Sequence, residues 1–173
     1  MFYPMWKDEL HSLIASFPHP GWGLPHSLRV YRMALWLSAE RGTSVDQDTL
    51  LAAAYVHDLG ALGCYRDPVV DHAVRSVQLL DTVLPADFPQ KSRPLLERVI
   101  LDHTYRQLPR GPEKVLVFHD ADILDLMGWI GVTRLLAVAG TETWWVPDTA
   151  ADIVLYWRVS PGGDAHLSRW ALR

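Results

Sequence analysis

Histidine and aspartate side chains recur within and beside the apolar stretches of this 173-residue chain. The residues in such a setting are His26, His57, Asp58, His72, His103 and Asp122. Imidazole and carboxylate groups together suit divalent ions such as manganese, iron, cobalt, nickel, zinc or magnesium. Burying a His-Asp pair in the run AAAYVHDLGAL is costly unless a metal, a hydrogen bond or a salt bridge compensates the charge. The residue types therefore indicate a metal site, and they leave a structural role open for each side chain taken singly.

The sequence around these residues predicts helices that would carry them. HSLRVYRMALWLSAERG has no internal glycine or proline and follows Pro25, which suits a first helical turn. A buried helix that ends near Gly60 is predicted by DTLLAAAYVHDLGAL. An amphipathic helix is predicted by DHAVRSVQLLDTVL, and another helix by PLLERVILDHTYR. EKVLVFHDADILDLMGWIGVTRLLAVAG predicts one helix, or two that break near Gly128. We expect one helix that runs past Gly128 and Gly131, with Asp122 facing inward and the glycine pair allowing a close approach.

The remaining segments extend the same helical pattern. Residues 1–16 predict a first helix and DTAADIVLYWRVS a late one, and no strand alternation persists anywhere. The sequence therefore predicts an all-α, single-domain bundle of about six or seven helices over residues 1–173, with a motif-bearing core at about 22–140 and a helical extension at 141–173. Separate helices can bring the histidines and aspartates together in the core of such a bundle.

Composition narrows the class of partner. Hydrophobic residues make up 49% and charged residues 21%, and the net charge of −4 provides no basic field for nucleic acid or anionic lipid. Cys64 is the single cysteine, which excludes an intrachain disulfide and fits a reducing compartment. It is either a nucleophile or, more in keeping with its apolar neighbours, a packing residue. The absence of an apolar leader or a membrane-length apolar run predicts a cytoplasmic protein.

Several segments match known motifs in order and separation. HSLRVYRMA at 26–34 is similar to HxxRVxxxA, LLAAAYVHDLGAL at 50–62 to xAALLHDIG, and HDADILDLMGWIGVTRLLA at 119–137 to DADxLDxxGxxGxxR. DHAVRSVQLL at 71–80 and VILDHTYR at 99–106 resemble the helices that carry further histidines. Over about residues 22–140 the chain thus resembles the HD-domain metal-dependent phosphohydrolases, and the last motif resembles a subgroup of small bacterial HD hydrolases.

The resemblance implies particular ligands. The family pattern H…HD…D falls on His26, His57, Asp58 and Asp122. Some members hold a second metal, which shares the aspartate of the HD pair with the first. His72 and His103 lie where the other ligands of that second metal would be. The alternative for both residues is to contact the substrate or to form hydrogen bonds with the metal ligands. Asp102 stands where the dinuclear phosphodiesterase branch carries another histidine, which disfavours a second metal, and that branch's lysine and GYP motif are absent. We therefore do not expect cleavage of cyclic dinucleotides.

Neighbours of Asp122 have open roles. Asp120 and Asp122 lie about 200° apart around a helix, so both cannot face one ion, and the resemblance selects Asp122. Asp125, one turn later, either orients a ligand or caps a neighbouring helix. His119 either reaches the site or lies on the surface.

Arginines are candidates for binding phosphate, because a guanidinium group pairs with two phosphate oxygens at once. The candidates are Arg29, Arg75, Arg106 and Arg134. A surface position or a salt bridge is the alternative for each of them.

The resemblance implies hydrolysis of a small phosphoester or nucleotide by a metal-activated water, with His72, His103 or solvent protonating the leaving group. HSLRVY also resembles the opening of the HD hydratases, so a lyase that hydrates a small nitrile-like molecule is the alternative. A non-catalytic metal-binding or nucleotide-sensing module would be expected to lack a ligand, and all four are present. The sequence determines neither the native metal nor the physiological substrate, and it leaves a homodimer open.

Overall fold

The computed structural model of the protein describes residues 5–104 and 109–141. Within these ranges the chain forms α-helices and short 3-10 turns and no strand, which confirms the all-α prediction. The helices are α1 (Trp6–Ala15), α2 (Leu24–Glu40), α3 (Gln47–Val56), α4 (His72–Val83), α5 (Arg93–Asp102), α6 (Glu113–Asp125) and α7 (Gly128–Thr141). The predicted late helix DTAADIVLYWRVS and Arg106 lie outside the described residues.

Short polar side chains and glycine set the ends of the helices that carry the candidate ligands. Asp46 caps α3 by accepting from the backbone N–H of Asp48 at 3.2 Å, and Asp71 caps α4 by accepting from that of Ala73 at 2.9 Å. Gly42 follows α2 with a φ of 63°, in the left-handed region where helices commonly end. These caps place His72 at the first residue of α4 and His57 directly after the last residue of α3.

The core lies between α6 and the helices around it. α2 packs against both α3 and α6, and α5 packs against α3, α4 and α6. The side chains that fill the space are apolar, as at Val30, Val56, Leu80 and Phe118. Because α6 is covered on nearly all sides, its polar residues are buried as well. Buried polar groups need partners, so their contacts indicate what α6 is built to hold.

The prediction of a helix running past Gly128 is wrong, because α6 ends at Asp125 and α7 begins at Gly128 with a 70° bend between them. Gly128 has a φ of 64°, which an L-residue adopts only with strain. A Cβ atom added at Gly131 would overlap the backbone carbonyl of Leu126, and nothing lies near Gly128. The two glycines therefore make the turn, and they do not admit a second helix.

No single helix in the described part of the chain is long and apolar enough to cross a membrane. α6 and α7 together meet the length and composition of a span, but they are bent at their junction and α6 is mostly buried in the bundle.

Candidate metal centre

Four of the candidate ligands converge from three helices. His26 lies in the first turn of α2, His57 and Asp58 follow α3, and Asp122 lies near the end of α6. His26 Nε2 lies 3.1 Å from His57 Nε2, 3.4 Å from Asp58 Oδ2 and 3.3 Å from Asp122 Oδ1. His57 Nε2 lies 3.2 Å from Asp58 Oδ2 and 3.8 Å from Asp122 Oδ1. The structure thus brings these four side chains to one point in the core.

The spacing of these donor atoms fits a divalent ion. Two ligand atoms that each lie about 2.1 Å from an ion are separated by about 3.0 Å at a right angle and about 3.4 Å in a tetrahedron. The distances from His26 Nε2 fall in that range, as does that between His57 and Asp58, whereas the separation between His57 and Asp122 is longer. Two imidazoles with two carboxylates form a donor set that several divalent metals accept.

A second group of donors lies on the other side of Asp58. Its Oδ1 atom lies 3.5 Å from Nε2 of His72 and 3.5 Å from Nε2 of His103, and these two nitrogens are 3.2 Å apart. The three side chains lie close enough together to hold an ion of their own. Asp58 therefore presents one carboxylate oxygen to each pair of histidines.

Each of the three buried histidines of the cluster is held by a partner on its other ring nitrogen. His57 Nδ1 lies 3.1 Å from the carbonyl oxygens of Ala53 and Ala54, and His103 Nδ1 lies 2.6 Å from that of Ile100. The corresponding atom of His26 lies 2.7 Å from a carboxylate oxygen. Carbonyls only accept, so Nδ1 of His57 and His103 carries the hydrogen and the Nε2 lone pair points into the cluster, as metal ligation requires.

The electrostatics of the cluster favour a cation. Burial lowers the pKa of His26, but hydrogen bonds with Asp122, Asp125 and Asp58 outweigh it and raise that pKa to about 10. Burial raises the pKa of Asp122, while hydrogen bonding to His26 and the charge of His57 lower it to about 2. The pKa of Asp58 is likewise well below its usual range because nearby histidines outweigh the effect of burial. Without a metal, the cluster keeps its carboxylates charged and a proton on His26.

Within the described residues, the cluster is most exposed to solvent at His72. The side chains of His26 and His103 are each 2% exposed, whereas that of His72 is 29% exposed and that of Asp58 16%. A small molecule from solvent would therefore reach the cluster past the first turn of α4.

Three of the four arginines proposed as phosphate contacts, Arg29, Arg75 and Arg134, bind other groups. Arg29 Nε and Nη2 bind Asp125 at 2.6 and 3.0 Å, and Arg134 binds the same carboxylate. Arg75 Nε donates to the carbonyl oxygen of Tyr65 at 3.1 Å. The phosphate-binding role of Arg29 and Arg75 stays a prediction, as does that of Arg106, which lies outside the described residues.

The structure decides the roles left open next to Asp122. Asp125 contacts His26, and no described helix is capped by its side chain, so the contact favours the role of orienting a candidate ligand. His119 is completely buried, so the surface position is wrong, and its Nε2 has no hydrogen-bond partner among the described residues. Asp120 pairs with Arg41 at 2.7 Å, on a different side of α6 from the cluster, as the helical spacing predicts.

Arg134 belongs to the site through Asp125; both residues lie in the stretch similar to DADxLDxxGxxGxxR, but that motif does not indicate that they contact each other. The guanidinium group of Arg134 reaches the backbone of Gly21, 113 positions away, and a backbone carbonyl has no sequence signature. Asp125 carries a weak signal, because it lies three positions after Asp122 and thus near the same helix face.

Comparison with known proteins places this geometry in a family. The model of the HD domain matches residues 23–127, which is more than half of the chain. A protein of Lactobacillus plantarum whose crystal structure was determined as a structural genomics target shares the fold, with a TM-score of 0.58 at 23% identity over 87% of this chain and 71% of that one. None of the curated proteins matches the chain. With its histidine and aspartate cluster inside the matched segment, the chain belongs to the HD-domain family, a superfamily of metal-dependent hydrolases.

Proposed function

We propose that the protein is a metal-dependent phosphohydrolase that acts on a small phosphoester or nucleotide. The position of Asp58 carries the proposal, because its two oxygens face two separate pairs of histidines. Carboxylate-bridged sites for two ions are typical of enzymes that cleave phosphoester bonds. We propose that His26, His57, Asp58 and Asp122 hold the first ion, and that Asp58, His72 and His103 hold the second.

The chemistry follows from what these residues fix in place. When bound, divalent ions supply an activated water and neutralise the charge that develops on the phosphoryl oxygens. Asp58 and Asp122 stay ionised in the buried cluster, so they are ligands and not proton donors at neutral pH. His57 and His103 direct Nε2 inward because their Nδ1 hydrogens are held by backbone carbonyls.

The open end of the cluster suggests how a substrate enters. His72 is the most exposed of the six side chains, so an entering phosphate group meets it first. A phosphorylated small molecule fits this opening better than a polymer, because the donors lie at or below the protein surface. The proposed partner is therefore a small phosphorylated substrate, and the net charge of −4 gives no support for nucleic acid.

A substrate panel tests the proposal. Metal-free protein would be reconstituted with Mn²⁺, Co²⁺, Ni²⁺, Zn²⁺ or Mg²⁺, and phosphate release from phosphomonoesters and nucleotides would be measured beside the hydration of cyanamide. We expect phosphate release that a chelator abolishes and added metal restores. Cyanamide hydration without phosphate release would replace the proposal by the hydratase alternative.

Variants of the ligands connect that activity to the site. His57→Ala and Asp58→Ala should lose both bound metal and phosphate release, a loss greater than the roughly 100-fold that removing an outer contact can cost. Asp122→Asn should fold without metal and lose metal-dependent turnover. Asp120→Asn is the matched control, since it changes a buried carboxylate on the same helix that pairs with Arg41. Full metal content in both His57→Ala and Asp58→Ala would overturn the assignment.

A further inference from the structure

Asp125, at the end of α6, accepts hydrogen bonds from three side chains of two other helices, α2 and α7. Its Oδ2 atom lies 2.7 Å from His26 Nδ1 and 2.7 Å from Arg134 Nη1. Arg29 completes the set, with Nε 2.6 Å from Oδ1 and Nη2 3.0 Å from Oδ2. The Asp125 side chain is 1% exposed, so water does not compete for these contacts. One carboxylate thus joins a member of the metal cluster to two arginines.

Arg134 connects this carboxylate to a distant loop. Its Nε donates to the carbonyl oxygen of Gly21 at 2.8 Å, and Nη2 donates to the same oxygen. Its Nη1 also donates to the backbone carbonyl of Asp125 at 3.0 Å. The planar guanidinium group therefore binds the loop on one side and the end of α6 on the other, which an ammonium group could not do in the same way.

Arg134 is also the main polar attachment of α7. It is the only charged residue of that helix, and the buried residues of α7 are Gly131, Arg134 and Val138. Val138 packs so closely on Gly21 that a Cβ atom there would overlap it. The packing of α7 against the loop at Gly21 therefore fixes the position of Arg134, which binds Asp125.

We infer that Asp125 is a positioning residue that fixes the tautomer and ring orientation of His26 for metal binding, and that Arg134 makes this orientation depend on the docking of α7. The inference rests on the proposed function, because it requires His26 to be a metal ligand. A carboxylate partner holds a ligating histidine in one tautomer, and loss of such a partner typically weakens metal binding by about 10- to 100-fold.

Asparagine at position 125 would disturb the arrangement without changing its size. Both carboxylate oxygens accept hydrogen bonds, and an amide offers only one acceptor. If the amide oxygen faces His26, the amide NH₂ faces Arg29 Nε. If the NH₂ faces His26, it also faces Arg134 and Nη2 of Arg29, so at least one contact is lost in either orientation.

The matched control, Asp120, lies five residues earlier on the same helix. Asp120 is buried like Asp125 and binds Arg41, which is buried to a similar extent as Arg134, at 2.7 Å. Its histidine neighbour is His119, which is outside the proposed ligand set. Asp120→Asn and Arg41→Gln therefore remove a comparable buried ion pair without touching His26.

The experiment is a titration of the metal-free full chain with Co²⁺, because the visible absorption of that ion reports both affinity and ligand geometry. Asp125→Asn should weaken Co²⁺ binding by about 10- to 100-fold and change the absorption spectrum. Arg134→Gln should weaken binding by about 10-fold, at the low end of that range, and Arg134→Lys should fall between Arg134→Gln and the wild type. Asp120→Asn and Arg41→Gln should keep the spectrum and affinity of the wild type.

Two outcomes would overturn the inference: wild-type Co²⁺ binding in Asp125→Asn, or the same loss in Asp120→Asn as in Asp125→Asn. If Asp125→Asn does not unfold cooperatively, the Co²⁺ binding of Arg134→Gln and Arg41→Gln is compared instead. Wild-type binding in Arg134→Gln, or the same loss in both variants, would then overturn the inference. His26→Ala separates this inference from the proposed function. If His26→Ala loses the wild-type Co²⁺ spectrum while Asp125→Asn keeps wild-type Co²⁺ binding, only the positioning role is refuted. If the spectrum of His26→Ala is unchanged, the assignment of His26 as a metal ligand is refuted.

Discussion

At the level of single side chains, the imidazoles of His57 and His103 are anchored by backbone carbonyls, and that of His26 by a carboxylate. A carbonyl anchor depends only on the local helix, so His57 and His103 keep their orientation as long as α3 and α5 form. His26 instead depends on residues from α6. The first ligand in the chain is thus the one most sensitive to how the helices are assembled.

Metal binding should release a proton from His26. The pKa of this group is raised to about 10 in the metal-free protein, so at neutral pH an ion must displace its proton. Affinity should therefore rise by about tenfold for each pH unit between 6.5 and 8.5, with about one proton released per first ion. Calorimetry in two buffers of different ionisation enthalpy measures the released proton. An affinity that does not change over this pH range would contradict the prediction.

The same proton has the opposite effect on the metal-free fold. Because the pKa of His26 is higher in the folded than in the unfolded chain, its protonation stabilises the fold fully below about pH 6.5. That contribution is lost as the pH rises through about 10. Metal-free protein should thus become less stable over the range in which metal binds better.

The number of ions is a separate prediction. At saturating Mn²⁺ we expect two ions per chain, because His72 and His103 share Asp58 with the first site. His72→Ala and His103→Ala should each reduce the number to one, as measured by equilibrium dialysis with metal analysis. His11→Ala is the control, since His11 is exposed and outside the cluster. If the wild-type chain binds one Mn²⁺ ion, His72 and His103 are not ligands of a second ion, and they instead contact the substrate or form hydrogen bonds with the metal ligands.

The six candidate residues were predictable because histidine and aspartate in apolar helices are costly without a common partner. The contacts of Asp125 were not, since a helical aspartate can orient a ligand or cap a helix with the same local sequence. The pairing of Arg29 with Asp125 shows the same limit. A guanidinium group suits phosphate and carboxylate alike, so the sequence pattern cannot choose between them.

At the level of elements, the junction of α6 and α7 is where prediction from sequence went wrong. Two glycines within a helical pattern fit either close packing or a helix end, and only the backbone angle distinguishes them. Gly128 adopts a φ of 64° and Gly131 lies against the carbonyl of Leu126, so both are required by the bend. Helix existence was predictable from apolar spacing, whereas this break depends on the direction in which α7 must run to reach Gly21.

Substitutions at three glycines of α7 test this reading of the bend. Gly128→Ala should reduce the free energy of unfolding by about 1–2 kcal/mol through left-handed strain. Gly131→Leu should cost at least about 1–3 kcal/mol, because its Cβ would meet backbone that cannot easily move. Gly140→Ala should be neutral or stabilise by up to about 1 kcal/mol, since no other atoms lie near it. Denaturant unfolding measures all three, and equal effects at the three positions would contradict the bend as the cause.

At the level of the whole molecule, the ligands tie together segments that are distant in the chain. His26 and Asp122 are separated by 96 positions, so a bound ion holds α2, the end of α3 and α6 in one arrangement. The sequence predicted the bundle and its helices, but not which helices touch. Packing partners such as α2 and α6 depend on side-chain fit over long separations, which apolar periodicity does not encode.

Metal should therefore stabilise the fold. Mn²⁺ at 100 times its dissociation constant should add about 2.7 kcal/mol to the free energy of unfolding. For a chain of this size that corresponds to a rise of about 5–10 °C in the melting temperature. Differential scanning calorimetry with and without Mn²⁺ measures the shift. Asp120→Asn should retain it and His57→Ala should lose it, and an equal shift in both variants would point to binding elsewhere.

Three carboxylates, those of Asp58, Asp122 and Asp125, surround the single buried imidazole of His26. Arg29 and Arg134 also pair with Asp125, so a chain without metal is not short of positive charge there, but it lacks the ion that would join α2, α3 and α6 and opens more often than a loaded chain. Proteases degrade a protein in proportion to the population of its opened form when opening is fast relative to cleavage. We therefore expect the abundance of this protein in a cell to follow the supply of its metal, because molecules that fail to acquire an ion would be removed first.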